Sequence, residues 1–142
     1  MEISTRIVIN ATPEEVWKEF SNFSEYGSWN PFIKELTGNV EEQGRIHIKL
    51  EGMQFKPTVQ VLKPAQELTW LGRLLLPGIF GGRHSFQLID NGDGTTTFVQ
   101  KESFKGLLVP MLKKKLLTET KAGFEAMNSA LKSRVEAAVA SH

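Results

Sequence analysis

The sequence predicts an α+β fold, with about seven antiparallel strands, two short helices after the first strand and a long C-terminal helix. Three observations carry this expectation. Residues 2–10 hold a β-branched run followed at once by helix-capping residues. Between residues 32 and 104, turn residues recur at intervals of about eight to twelve, the mark of an antiparallel meander. After Gly106 the apolar residues take up helical spacing and keep it to the end.

The first run, Ile3, Thr5, Ile7, Val8 and Ile9, reads as a strand because β-branched side chains fit a pleated surface. It stops at Asn10. Thr12-Pro13-Glu14-Glu15 then supplies a cap residue, a proline at the first helical position and a glutamate placed to close a capping box. Val16, Trp17, Phe20 and Phe23 form the apolar stripe of the short helix that comes next. A second helical turn is expected over 24–28. It closes at Trp29-Asn30-Pro31, where the proline pushes Asn30 away from helical geometry.

The meander is expected to run through strands near 33–37, 45–51, 53–62, 67–73, 82–90 and 95–104. Its turns fall at Gly38-Asn39, Gly52, Lys63-Pro64-Ala65-Gln66, Leu76-Pro77-Gly78 and Asn91-Gly92-Asp93-Gly94. In the last segment Leu116 or Leu117, Thr120, Phe124, Met127, Leu131 and Val135 make one apolar stripe. Pro110 lies near the helix start, and Lys113, Lys114, Lys115, Lys121, Lys132 and Arg134 form a solvated face.

The chain of 142 residues suits a single domain, 1–142, with no repeat or linker. It has no cysteine, which removes disulfides, thiolate nucleophiles and cysteine-ligated zinc together. With 17 Lys plus Arg against 16 Asp plus Glu, the net charge of +1 offers no overall field for nucleic acid. The first residues lack a secretory layout and no apolar run approaches the roughly 20 residues of a bilayer span. A cytoplasmic protein with no stable membrane insertion is the expectation. Dinucleotide and phosphate-loop fingerprints are missing, the Asn91–Gly94 stretch reads as a turn rather than a calcium loop, and no serine sits in a nucleophile elbow. His47, His84 and His142 have no spacing suited to a metal triad, so neither metal nor cofactor is expected.

The order of elements resembles the helix-grip fold of the START-like (SRPBCC) superfamily. Ala11-Thr12-Pro13-Glu14-Glu15-Val16-Trp17 is similar to that family's first-helix opening, and Trp29-Asn30-Pro31 to its motif before the second strand. Leu68-Thr69-Trp70-Leu71-Gly72, Gly82-Arg83-His84-Ser85-Phe86, Gly94-Thr95-Thr96-Thr97 and Glu102-Ser103-Phe104-Lys105-Gly106 resemble its bacterial polyketide cyclase/dehydrase-like branch. The resemblance implies a curved sheet wrapped around the long helix, with a ligand cavity left between them. Members differ widely in what they bind, so it implies a fold more sharply than an activity.

Strand parity assigns side chains to that cavity, because residues two apart share a face. Gly82, His84, Phe86 and Leu88 share one, as do Phe98, Gln100, Glu102 and Phe104. With Asn91–Thr95 as the loop, the register sets Asp90 against Thr96, Leu88 against Phe98, Phe86 against Gln100 and His84 against Glu102. Leu68, Trp70 and Gly72, then Phe55, Val59 and Val61, then Ile46, Ile48 and Leu50, should also point inward, with His47, Lys49 and Arg73 outward. The candidate cavity residues are Trp29, Phe55, Val59, Trp70, His84, Phe86, Gln100, Glu102, Phe104, Phe124, Met127 and Leu131. His84, Gln100 and Glu102 stand out, since an unpaired polar group on a buried face costs about 1–3 kcal/mol. His84 and Glu102 could tie two strands together. They could also form an acid/base pair in which the carboxylate orients the ring and the other ring nitrogen trades protons.

The stretch Leu74-Leu75-Leu76-Pro77-Gly78-Ile79-Phe80-Gly81-Gly82 is too apolar for an ordinary loop. It could serve as a lid, as a homodimer contact through residues 74–81, or as a membrane or partner contact. The leading expectation is binding of a small hydrophobic or amphipathic molecule, lipid-, aromatic- or polyketide-like. A cyclase/dehydratase-like enzyme using His84 and Glu102 is the alternative, although Tyr26, the single tyrosine, lies in the elbow rather than beside them. A protein-interaction module of the chaperone-activator kind is the third.

Overall fold

The computed structural model describes residues 1–74 and 78–141. Strand β1 (Glu2–Ile9) leads into helix α1 (Pro13–Phe20), a 3-10 turn (Phe23–Glu25) and the single-turn helix α2 (Tyr26–Trp29). Strands β2 (Glu35–Gly38), β3 (Ile46–Leu50), β4 (Met53–Phe55), β5 (Thr58–Lys63), β6 (Glu67–Leu74), β7 (Phe80–Asp90) and β8 (Thr96–Lys105) come next. The C-terminal helix opens as α3 (Val109–Lys115), passes through a π-helical turn (Leu116–Thr120) and continues as α4 (Lys121–Ala140). The fold is the α+β helix grip.

The elbow forms as its residues dictate. Thr12 Oγ1 accepts from Glu15 N at 3.2 Å while Glu15 Oε1 accepts from Thr12 N at 2.9 Å, a closed capping box ahead of Pro13. Asn30, ahead of Pro31, is extended at φ −82°, ψ 114°. Its Oδ1 accepts from Phe32 N at 2.9 Å and Ile33 N at 2.8 Å, which turns the chain from α2 toward β2.

The strands form a five-stranded sheet, β1-β8-β7-β6-β5, and a three-stranded sheet, β2-β3-β4. Among the described residues that makes eight strands rather than seven. The expected strand over 53–62 is divided at Pro57, which has no N–H to give to a ladder. The division joins the two sheets: Ile46 N donates to Pro57 O at 3.1 Å, Val59 N to Gly44 O at 2.9 Å and Gln43 N to Val59 O at 2.8 Å. A bulge between Val59 and Val61 also changes the parity of β5. Val59 opposes Trp70 and Leu62 opposes Leu68, so Leu62, and not Val61, packs on the core. The β7–β8 register is as expected, from Asp90 opposite Thr96 to His84 opposite Glu102.

The concave face of the larger sheet closes on α4 through Phe124, Met127, Asn128, Leu131 and Val135, all buried. The main core includes Phe20, Trp70, Phe86, Phe98, Met127 and Leu131, and a second cluster of Ile3, Phe104, Leu116 and Phe124 packs near the π turn. The apolar hairpin between β6 and β7 has its tip, residues 75–77, outside the described residues, as is His142. Its base is tied to the chain ahead of α3 by Leu107 N to Gly78 O and Leu108 N to Ile79 O, both 3.0 Å. No described helix is long and apolar enough to cross a membrane.

Candidate functional site

A cavity of about 110 Å³ lies where β3, β4, β6, β7 and β8 face the π turn. Its walls are mainly apolar, with Phe32, Ile48, Leu50, Phe55, Trp70, Phe80, Phe104 and Leu116, and its polar side chains are His84, Glu102 and Thr120. Leu116 and Thr120 are the first and last residues of the π turn, so the wide turn is the part of the helix that lines the space. Gly72 gives the floor its flatness: a Cβ there would meet the Phe55 ring at 3.4 Å.

Of the twelve candidate residues, Phe55, Trp70, His84, Glu102 and Phe104 line this cavity. The other seven do not. Val59, Phe86, Phe124, Met127 and Leu131 are core residues, and Trp29 packs against the core with Arg134 5.9 Å from its ring centre. Gln100 is wholly buried behind His84. The reason is aromatic filling. Phe86 stacks on His84 at 4.5 Å, lies 5.2 Å from Trp70 and 5.0 Å from Phe20, and leaves the middle of the grip solid. Among the described residues, the hollow part of the interior lies at one end.

Strand parity reaches more of the wall than the twelve candidates. Ile48, Leu50, Gly72 and Gly82 share faces with residues expected inward, and Phe80 shares the face of His84 two pairs further on. Thr120 and Leu116 sit on the helix stripe. Asn128 leaves a weaker trace, one position past Met127, and is nevertheless buried.

A polar chain crosses the interior from the cavity to β1. Glu102 Oε1 lies 3.3 Å from His84 Nδ1. His84 Nε2 is 3.0 Å from Gln100 Oε1, Gln100 Nε2 donates to Asn128 Oδ1 at 2.8 Å and to the Phe124 carbonyl at 3.3 Å, and Asn128 Nδ2 donates to Thr5 Oγ1 at 2.9 Å. The Thr5 hydroxyl donates to the Gln100 carbonyl at 2.9 Å.

The direction of this chain is forced at both carbonyls, which can only accept. Thr5 spends its one proton on the Gln100 carbonyl, so its oxygen must accept from the Asn128 amide. Asn128 therefore turns its oxygen to Gln100, whose NH₂ also reaches the Phe124 carbonyl. Gln100 is left presenting oxygen to His84, and Nε2 of the ring must carry a proton.

This corrects the expected division of labour in the pair. Nε2, expected to trade protons with a ligand, is held by Gln100, and the His84 side chain is only 4% exposed. Glu102, at 17%, is the member that reaches the cavity. Tyr26 stays apart from this chemistry. Its hydroxyl donates to the Phe20 carbonyl at 2.5 Å, and burial holds its pKa well above the ordinary tyrosine value. Among the described residues no three His, Asp or Glu side chains converge as a metal site would require.

A sheet gripping one long helix, with a cavity left between them, is the arrangement that the resemblance to the START-like class implies. The chain belongs to the polyketide cyclase / dehydrase and lipid transport family, whose sequence pattern it matches over residues 1–137. No curated protein sequence matches it significantly. Among solved structures it is similar to the Zhui aromatase/cyclase from Streptomyces sp. R1128, at 14% identity and a TM-score of 0.76 over 98% of this chain and 95% of that one. It is also similar to a START superfamily protein from Mycobacterium smegmatis, at 22% identity and a TM-score of 0.71 over 95% and 97%. Hypothetical protein jhp0584 from Helicobacter pylori aligns at 13% identity with a TM-score of 0.82 over 95% and 88%. Likeness at these identities is a likeness of fold.

Proposed function

We propose that the protein binds a compact hydrophobic ligand in the cavity between the sheet and the π turn. The observation that carries this reading is an apolar space interrupted by one accessible carboxylate, the combination of shape and oriented polarity that binding pockets use. Its volume of about 110 Å³ sets the size. Drug-sized ligands occupy roughly 300–1,000 Å³, whereas an apolar cavity of about 150 Å³ takes up benzene. The part of the ligand held here is therefore about one ring. Native mass spectrometry of the protein purified from its own cells tests the reading, with a retained small molecule expected. Protein that carries nothing and shows no saturable shifts with single-ring probes by NMR would overturn it.

A second reading, a cyclase- or dehydratase-like enzyme, is favoured by one observation, the His84 Nδ1–Glu102 Oε1 contact at the cavity wall. Glu102, set beside the His84 ring, is placed to take a proton from a bound ligand. The family's description and the aromatase/cyclase among the similar folds support the same reading. Turnover of an aromatic or polyketide-like substrate that is lost in Glu102→Gln would favour it over simple carriage.

A further inference from the structure

The polar chain behind His84 fixes how Glu102 meets the cavity. Nε2 of the ring is held 3.0 Å from Gln100 Oε1, and Nδ1 lies 3.3 Å from Glu102 Oε1. One carboxyl oxygen is thus set against the ring, and the other, Oε2, is turned away from it. Oε2 keeps its lone pairs as an acceptor.

Oε2 is also the oxygen available to a ligand. It has no hydrogen-bond partner among the described residues, and it is directed toward Gly82, where a Cβ would overlap it. Gly82 is itself a wall residue, so the missing side chain leaves Oε2 open to the cavity. The walls around it are the rings of Trp70, Phe80 and Phe104. An apolar group that enters without a donor covers this acceptor and leaves it unpaired. An anionic group meets the carboxylate directly.

We propose that the cavity selects a ring-sized apolar group bearing a hydrogen-bond donor, a hydroxyl or N–H that is delivered to Glu102 Oε2, with His84, held in place by Gln100, positioning the carboxyl group. The proposal rests on the cavity being a binding site and adds the class of ligand. Neutral phenols and indole-like N–H groups fit it; hydrocarbons and carboxylates do not.

Phenol, toluene and benzoate test it on the intact protein, because the first two have nearly one shape and differ in the donor. Affinities are measured by NMR titration for the wild type and Glu102→Leu. The phenol-to-toluene affinity ratio should fall by about tenfold or more in Glu102→Leu, the scale of a hydrogen bond to a charged acceptor, and benzoate should not bind the wild type. A ratio that is the same in both proteins, or wild-type binding of benzoate at the level of phenol, overturns the donor rule while leaving the cavity a binding site. No binding by any of the three removes both.

Discussion

Gly82 and Glu102 share one pocket of space: a Cβ on Gly82 would overlap Glu102 Oε2 and press on the rest of the carboxyl group. Gly82 pairs with Phe104, and Glu102 opposes His84 two residues along, so the two are diagonal neighbours on the concave face. Gly82→Ala should therefore turn the carboxylate away from His84. Since the displaced atoms end a flexible side chain, the loss of stability should stay near about 1 kcal/mol, within the ordinary range for a point substitution. Binding of phenol should fall severalfold, which a titration beside a denaturation curve would reveal. Wild-type affinity in Gly82→Ala would show that the position of Oε2 is unimportant.

Gln100→Leu attacks the chain at its centre. It strands the His84 Nε2–H and the Asn128 carbonyl in a dry interior, with Phe124 O losing a donor as well. Unpaired buried groups cost about 1–3 kcal/mol each, and members of one network do not act independently. The expected loss is about 2–4 kcal/mol, read as a lower midpoint in urea. Asn128→Leu in the same background should add much less than it does alone, the sign of coupled residues.

Tyr26 gives a pH dependence whose sign is fixed. Burial raises its folded pKa, so the folded state holds the phenol proton to higher pH than the unfolded chain does. The contribution is fully present below the unfolded value of about 10. It is lost as pH rises from there through the folded pKa. Stability should fall more steeply above pH of about 10 in the wild type than in Tyr26→Phe. At neutral pH the variant should lose about 1–2 kcal/mol for the unpaired Phe20 carbonyl. Matching alkaline slopes in the two proteins would remove Tyr26 as the cause.

Gly123 permits a contact that a better helix former would forbid. A Cβ there would overlap the Phe32 ring, which stands edge-on to Phe124 at 5.4 Å and lines the cavity. Alanine favours a helix by about 1 kcal/mol over glycine, but overpacking costs about 1–3 kcal/mol. Gly123→Ala should lower or leave unchanged the melting temperature and shift the NMR signals of cavity residues. A clearly raised melting temperature would show that Phe32 moves aside at no cost.

Much of this molecule is written in local patterns. The capping box at Thr12 and Glu15, the turn at Asn30-Pro31 and the β7–β8 register all depend on neighbours in sequence or on the period of two, and all form as those patterns require. Pro57 shows the limit. A proline within an apolar run marks a break, but only the pairing of Ile46 with the Pro57 carbonyl shows that the break joins two sheets. The bulge in β5 is hidden for the same reason: Gln60 looks like any outward residue, and one extra residue there moves Leu62 to the inner face in place of Val61.

The class of fold, the inward faces of most strands and the pairing of His84 with Glu102 are legible in the chain alone, because they depend on periodicity and register. Only the folded molecule decides which inward residues line empty space and which fill it. That depends on ring sizes meeting across elements far apart in the chain, as Phe20, Trp70 and Phe86 do. The roles within the pair are settled at the same level. Asn128 is remote in sequence from Thr5 and Gln100, and only their meeting in a dry core ties the His84 ring to Gln100 and leaves Glu102 to face the cavity.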